Sequence, residues 1–214
     1  MNRFTSSPSS IDVSSFLLDQ MKEQLKIIGT ARDAQLSGLL VLSTDLIERY
    51  TWRYLTERTI KGEFNNATPS RAKSGGMLDC QRAPVFDDSL LSITFRGVDS
   101  DEALSGFIAP VQEFGECFVT SEPVQSANNE AVYPVVVEFK AGYPVDNLGD
   151  WLCPLPLQQA VIALAMYLYA NPLDCGSGGC SCAGGVSNGV RLPSPVSMMI
   201  DSYVIRRYDH AMYL

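Results

Sequence analysis

The segment from Val135 to Pro172 limits the folds open to this chain more than any other. Val135, Val137 and Phe139 alternate with Val136, Glu138 and Lys140, the period-two pattern of a strand with one buried face. Ala141-Gly142-Tyr143-Pro144 ends it, because glycine admits backbone angles closed to other residues and proline cannot donate to a ladder. A polar loop leads to Pro154-Leu155-Pro156, and Pro156 suits the first turn of a helix, where its missing N–H costs nothing. The helix expected over Leu157–Ala170 is almost wholly apolar and stops at Asn171-Pro172. It is shorter than the ~18 apolar residues of a membrane span, so it is read as a buried core helix, and no membrane partner is expected.

With 214 residues the chain can bury one sizeable core, with room for a small inserted subdomain. Hydrophobic residues at 46% against 19% charged place it among globular proteins. The formal charge of −8 opposes free binding to nucleic-acid phosphates. The same sign suits a protein that sits beside DNA without gripping it. Residues 1–15 are polar and Ser-rich with no apolar stretch after a basic start, so no secretory signal is read there. Folding in the cytoplasm is expected, with the six cysteines made as thiols.

The pattern predicts an α+β fold: a mainly helical bundle of about four helices with an inserted small antiparallel β subdomain. Residues 1–12 read as a flexible arm. Ser14 or Ser15 is the expected cap of a first helix carrying Phe16, Leu17, Met21, Leu25 and Ile28 on one stripe, ended by Gly29-Thr30. A second helix is expected over Ala31–Leu55, closing on Tyr50, Trp52 and Tyr54, which read as core rings or a subunit contact. Period-two stretches at Ile60/Gly62/Phe64, Ile93/Phe95 and Phe118/Thr120 place five or six strands in residues 57–145. The loop 65–76, with Arg71 and Lys73, reads as solvated or as a finger touching a partner. The helical frame comprises residues 13–56 and 151–208, interrupted by a Gly/Cys-rich loop over 174–190. Pro193 and Pro195 open a last helix with Val196, Met199, Ile200, Tyr203 and Val204 at helical spacing, and residues 206–214 form a C-terminal tail.

No catalytic constellation emerges. His210 is the single imidazole and lies in the tail, so serine or cysteine nucleophiles lack a base. Asp87-Asp88 and Asp99/Asp101/Glu102 read as turn carboxylates, and Gly75-Gly76 and Gly178-Gly179 lack the context of a phosphate loop. Cys175, Cys180 and Cys182 form C-x4-C-x-C, with Cys153 upstream. The residues leave three readings: free thiols in a loop, a disulfide formed outside the cell, or a weak four-thiolate metal set. Cys80 and Cys117 sit on expected strands and read as packing. No cofactor is expected.

The order of these elements resembles the tailed-phage head–tail connector family, the gp6-like adaptors. The resemblance rests on "LIERYTWRYL" (46–55), "MLDCQRAPVFDDSLLSITFRG" (77–97), "VVVEFKAGYP" (135–144), "PLPLQQAVIALAMYLYANP" (154–172) and "LPSPVSMMIDSYVIRRY" (192–208). Pro172, where the family commonly has a basic residue, and the loop 174–188 depart from its pattern. The resemblance implies a non-enzymatic virion protein of the neck, assembled in the host cytoplasm. It would form a ring, usually a dodecamer, beneath the portal, extending the DNA channel and joining head to tail. Implied partners are the portal protein, a tail, tail-terminator or stopper protein, further copies of itself, and packaged DNA passing without specific binding. A ring of twelve would carry roughly −96 in all, a field that repels phosphates where it faces the lumen. By the same analogy Tyr203, Ile205, Arg206, Arg207, Tyr208, Tyr213 and Leu214 would contact the portal. The alternatives are a tail-terminator or head-completion protein of the neck, and a small cytoplasmic thiol or metal protein.

Overall fold

The computed structural model describes residues 3–9, 11–64, 77–79, 84, 90–96, 101–103, 107–111, 117–120, 135–171, 186–187 and 189–204. It is an α+β fold of two compact units, one from residues 1–10 and 56–142, the other from residues 11–55 and 143–214.

The first unit carries strands β1 (Arg3–Ser6), β2 (Arg58–Phe64), β3 (Met77–Asp79), β4 (Leu90–Arg96), β5 (Asp101–Ala103), β6 (Phe107–Val111), β7 (Cys117–Thr120) and β8 (Val135–Ala141). They form an antiparallel sheet in the order β1-β2-β8-β4-β5 and a second in the order β3-β7-β6. The expected five or six strands of residues 57–145 are thus seven among the described residues, because short strands such as β3 and β5 are too brief to show a period. The strand read over residues 135–140 lies inside the larger sheet, between β2 and β4, with Val137 and Phe139 buried. Val136, expected on the open face, is buried as well. Lys61 stands opposite Glu138 in register, at 4.0 Å, and Lys140 reaches Glu57 at 3.1 Å. Such partly exposed pairs add little to stability.

Residues 1–12, expected as a flexible arm, include β1. Arg3–Ser6 pair with Ile60–Glu63, and Ser7 N–H continues the ladder to the Thr59 carbonyl at 2.9 Å. An edge strand needs backbone partners but no apolar face, so Arg3, Thr5 and Ser6 remain exposed and leave no hydrophobic pattern.

The second unit holds α1 (Ser14–Leu25), α2 (Asp33–Thr51), α3 (Leu155–Ala170) and α4 (Ser194–Ile200), the hairpin β9 (Val186–Ser187) and β10 (Val190–Arg191), and a 3-10 turn over Asp201–Tyr203. Its core is Leu17 and Met21 from α1, Leu36, Leu40 and Ile47 from α2, Leu157, Val161, Ile162 and Leu164 from α3, and Val196 and Ile200 from α4. Pro156 occupies the first turn of α3, as its chemistry allows.

Several boundaries differ from expectation. Val13, not a serine, is the N-cap of α1, and the Asp12 carboxylate accepts from the Ser14 N–H at 3.0 Å and the Ser14 hydroxyl at 2.8 Å. Helix α1 stops before Gly29: Lys26 turns left-handed, and Ile27 N–H bonds the Lys22 carbonyl at 2.9 Å. Ile28 therefore leaves the predicted stripe and is 99% exposed. At the end of the segment expected as loop 174–190, Val186–Ser187 and Val190–Arg191 pair as a hairpin, with Gly189 at φ +75°. Helix α4 is short, and Tyr203 and Val204 lie beyond it.

Candidate functional site

Helix α2, expected to run to Leu55, ends at Thr51, because Trp52 adopts φ 60°. A bulky residue in that region is uncommon and needs compensation. Glu48 supplies it: its buried carboxylate accepts the Leu55 N–H at 2.8 Å, satisfying a donor that the broken helix leaves behind. The Leu55 carbonyl accepts from Trp151 Nε1 at 3.1 Å, and the Trp151 ring lies 5.9 Å from Phe16, centroid to centroid. Gln158 Nε2 donates to the Cys153 carbonyl at 2.6 Å at the start of α3. Both backbone polar groups of Leu55 are therefore held by side chains from elsewhere in this unit.

Cys153 belongs to the same cluster. Its thiol is buried, and desolvation, followed by the Glu48 charge, pushes its pKa far above the ordinary 9.0. It stays protonated at neutral pH, and a protonated, buried thiol is neither nucleophile nor metal ligand. Above pH 9 the unfolded thiol ionises while the folded one keeps its proton, so the unfolded state binds fewer protons and stability falls as pH rises. Wild-type protein is expected to lose up to ~1.4 kcal/mol per pH unit between about 9 and 11 beyond the loss in Cys153→Ala. Urea unfolding of both proteins across that range checks it, and parallel slopes would refute it.

The same end of α2 also holds the segment that follows α4. Tyr50 donates its hydroxyl to Asp201 at 3.0 Å, and Arg53 Nε donates to the Tyr203 carbonyl at 2.7 Å. Tyr50 is a core ring; these two bonds fix the segment after α4 on the end of α2. Of the residues expected to contact a portal, Tyr203 is thus placed and half-buried. Ile205, Arg206, Arg207, Tyr208, Tyr213 and Leu214 lie outside the described residues, as do the loop 65–76, Cys80, Cys175, Cys180 and Cys182. Among the described residues no group of three His, Cys, Asp or Glu is placed to hold a metal ion. No helix among them is long and apolar enough to cross a membrane.

The helical unit instead displays apolar side chains. Val41 and Leu42 stand exposed on α2, Leu148, Leu152 and Leu155 on the segment entering α3, and Met198 on α4.

The whole fold has solved counterparts. A chain from the neck of an empty GTA particle, computed with C6 symmetry, superposes with TM-score 0.63 at 17% identity, covering 97% of this chain and 98% of that one. A chain from the virion of the native gene transfer agent particle gives TM-score 0.62 at 17% identity over 97% of each. A chain from the neck of the native GTA particle, computed with C12 symmetry, gives 0.60 at 17% identity over 97% and 98%. At that identity the likeness is one of fold. No protein-family model matches the chain, and no curated protein matches it by sequence.

The Glu48–Leu55–Trp151 tie was not legible as a site in the sequence. Its one signal was an acid on the face that carries Leu36, Leu40 and Ile47, which calls for a buried partner.

Proposed function

We propose that this chain is a structural protein of a phage-like particle neck, a head–tail adaptor that assembles into a ring below the portal and extends the DNA channel toward the tail. The observation that carries this reading is the end-to-end likeness of fold to chains of GTA necks computed with C6 and C12 symmetry. Both units are covered, so the resemblance is not that of one common motif. The charge of −8 supports it, because a channel wall of that sign passes DNA without trapping it. The anchored Tyr203 supports a tail that leaves from a fixed root and orders on the portal. Ordering costs ~1–2 kcal/mol of backbone entropy per residue, which burial of Tyr208, Tyr213 and Leu214 would offset.

Particles produced with and without the gene test this reading. The expected outcome is the chain located in the neck by electron cryomicroscopy. Its loss, or deletion of residues 206–214, should leave DNA-filled heads without tails. Absence of the chain from particles would refute the neck role. Tail attachment surviving the deletion would refute the role of residues 206–214. Contact with the tail tube alone would point to a tail terminator.

A further inference from the structure

The leucines at the entry to α3 are held in water by a turn that cannot fold them away. Val145 and Trp151 pair as an antiparallel bridge, and Leu152 N–H donates to the Pro144 carbonyl at 3.0 Å. At the tip the Asp146 carboxylate accepts from Leu148 N–H and Asp150 N–H at 2.8 Å each, while Asp146 N–H donates to the Asp150 carbonyl at 2.9 Å. The Trp151 indole is fixed on the Leu55 carbonyl. On this closed frame Leu148, Leu152 and Leu155 are 87%, 51% and 63% exposed. Apolar side chains gathered on one ordered turn, unlike those scattered singly, mark a place of contact. The only charged residues between Gly142 and Leu173 are Asp146 and Asp150, so this surface is apolar and anionic.

The last ten residues of the chain, which lie outside the described residues, leave from the same end of this unit. Arg53 and Tyr50 fasten the segment after α4 as far as Tyr203. Leu55, two residues beyond Arg53, is the residue whose carbonyl takes the Trp151 indole. Even if that path of side chains and bonds ran straight, it would span ~30 Å, and ten extended residues reach ~33 Å. Residues 205–214 also carry what the turn lacks. Ile205, Tyr208, Met212, Tyr213 and Leu214 are apolar or aromatic, and Arg206-Arg207 is the one pair of adjacent cations in a chain of net charge −8, against Asp209 as the segment's one acidic side chain. Cations that meet carboxylates select the seat, and a tether this short makes the chain's own turn a better target than that of a second copy, which repels.

We propose that in the unassembled chain residues 205–214 dock on the Leu148–Leu155 turn of the same copy, their apolar side chains covering the leucines and Arg206-Arg207 facing Asp150. The segment is then a strap that keeps this surface from other molecules until assembly draws it away. Docking stands on the turn and the segment alone. Release rests on the neck reading above, because a segment that orders on a portal must first leave this seat.

Hydrogen exchange of the purified full chain, read by mass spectrometry at low micromolar concentration, tests it. The amides of residues 205–214 are expected to exchange at least ~10-fold more slowly than those of the same ten residues as a free peptide. Leu152→Asp should return them to the free-peptide rate, and Asp150→Lys should lower the protection several-fold. Both side chains are exposed, so the thermal midpoint should hold, which separates lost docking from lost folding. Joining Asp150→Lys to Arg206→Asp and Arg207→Asp should restore the protection. Val41→Asp, at an exposed site on α2, should leave it intact. Exchange at the free-peptide rate in wild type would overturn the proposal, as would protection that survives Leu152→Asp and Asp150→Lys or is lost in Val41→Asp. Protection that rises with protein concentration gives the seat to a second copy and overturns docking within one chain. The location of the chain in particles decides the neck role separately.

Discussion

Gly142→Ala is expected to destabilise the strand-bearing unit by about 4 kcal/mol. Two costs combine. Gly142 has φ +105°, a backbone angle that carries a strain of ~1–3 kcal/mol for a residue with a side chain. A Cβ added there would also press into the Thr56 carbonyl and come within 2.9 Å of the Glu57 nitrogen. Both are backbone atoms, which cannot swing aside as a side-chain tip can. Meanwhile the Gly142 N–H holds the Pro84 carbonyl at 2.9 Å, so shifting the turn strands another polar group. Gly149 provides the control. It has φ +89°, yet a Cβ there meets nothing within 4 Å, so Gly149→Ala should cost only the strain, roughly 1–2 kcal/mol. Urea unfolding followed by far-UV circular dichroism checks the pair. Equal losses in the two variants would mean that the close approach of Gly142 to Thr56 plays no part.

Trp151→Ala should cost a similar amount in the helical unit, about 3–5 kcal/mol, because it empties a buried aromatic site and strips the Leu55 carbonyl of its partner. Trp151→Phe keeps most of the volume and the contact with Phe16 but loses the indole donor, so roughly 1–2 kcal/mol is expected. At ~2–4 °C per kcal/mol for a chain of this size, the alanine variant should melt about 10 °C lower and the phenylalanine variant a few degrees lower. If the phenylalanine variant falls as far as the alanine one, the hydrogen bond to Leu55 outweighs the packing and this partition is wrong.

These two residues show how unevenly the fold could be read. Gly142 was legible: a glycine between a period-two strand and Tyr-Pro announces a turn that only it can make. Trp151 was not. Nothing in Asp150-Trp151-Leu152 says that the indole will reach Leu55, almost a hundred residues earlier, or that Glu48 will hold the other side of the same residue. The early end of α2 was hidden for the same reason. Local propensity through Thr51-Trp52-Arg53-Tyr54 permits more helix, and the left-handed turn at Trp52 exists because a buried carboxylate and an indole stabilise the backbone of Leu55 just beyond it.

The sequence by itself determined the period of each long element, the strand at residues 135–140 and the apolar helix after it, the proline at the start of α3, and the balance of charge. Those are set by side chains acting on their own neighbours in the chain, three or four residues away in a helix and two in a strand. Only the tertiary structure decided that β1 adds an edge to the sheet, that Ile28 points to water, that Cys153 is sealed beside Glu48, and that α2 leaves Val41 and Leu42 exposed. Each of these depends on which distant groups come into contact, and burial, hydrogen bonding and exposure are properties of that contact, not of the order of residues along the chain.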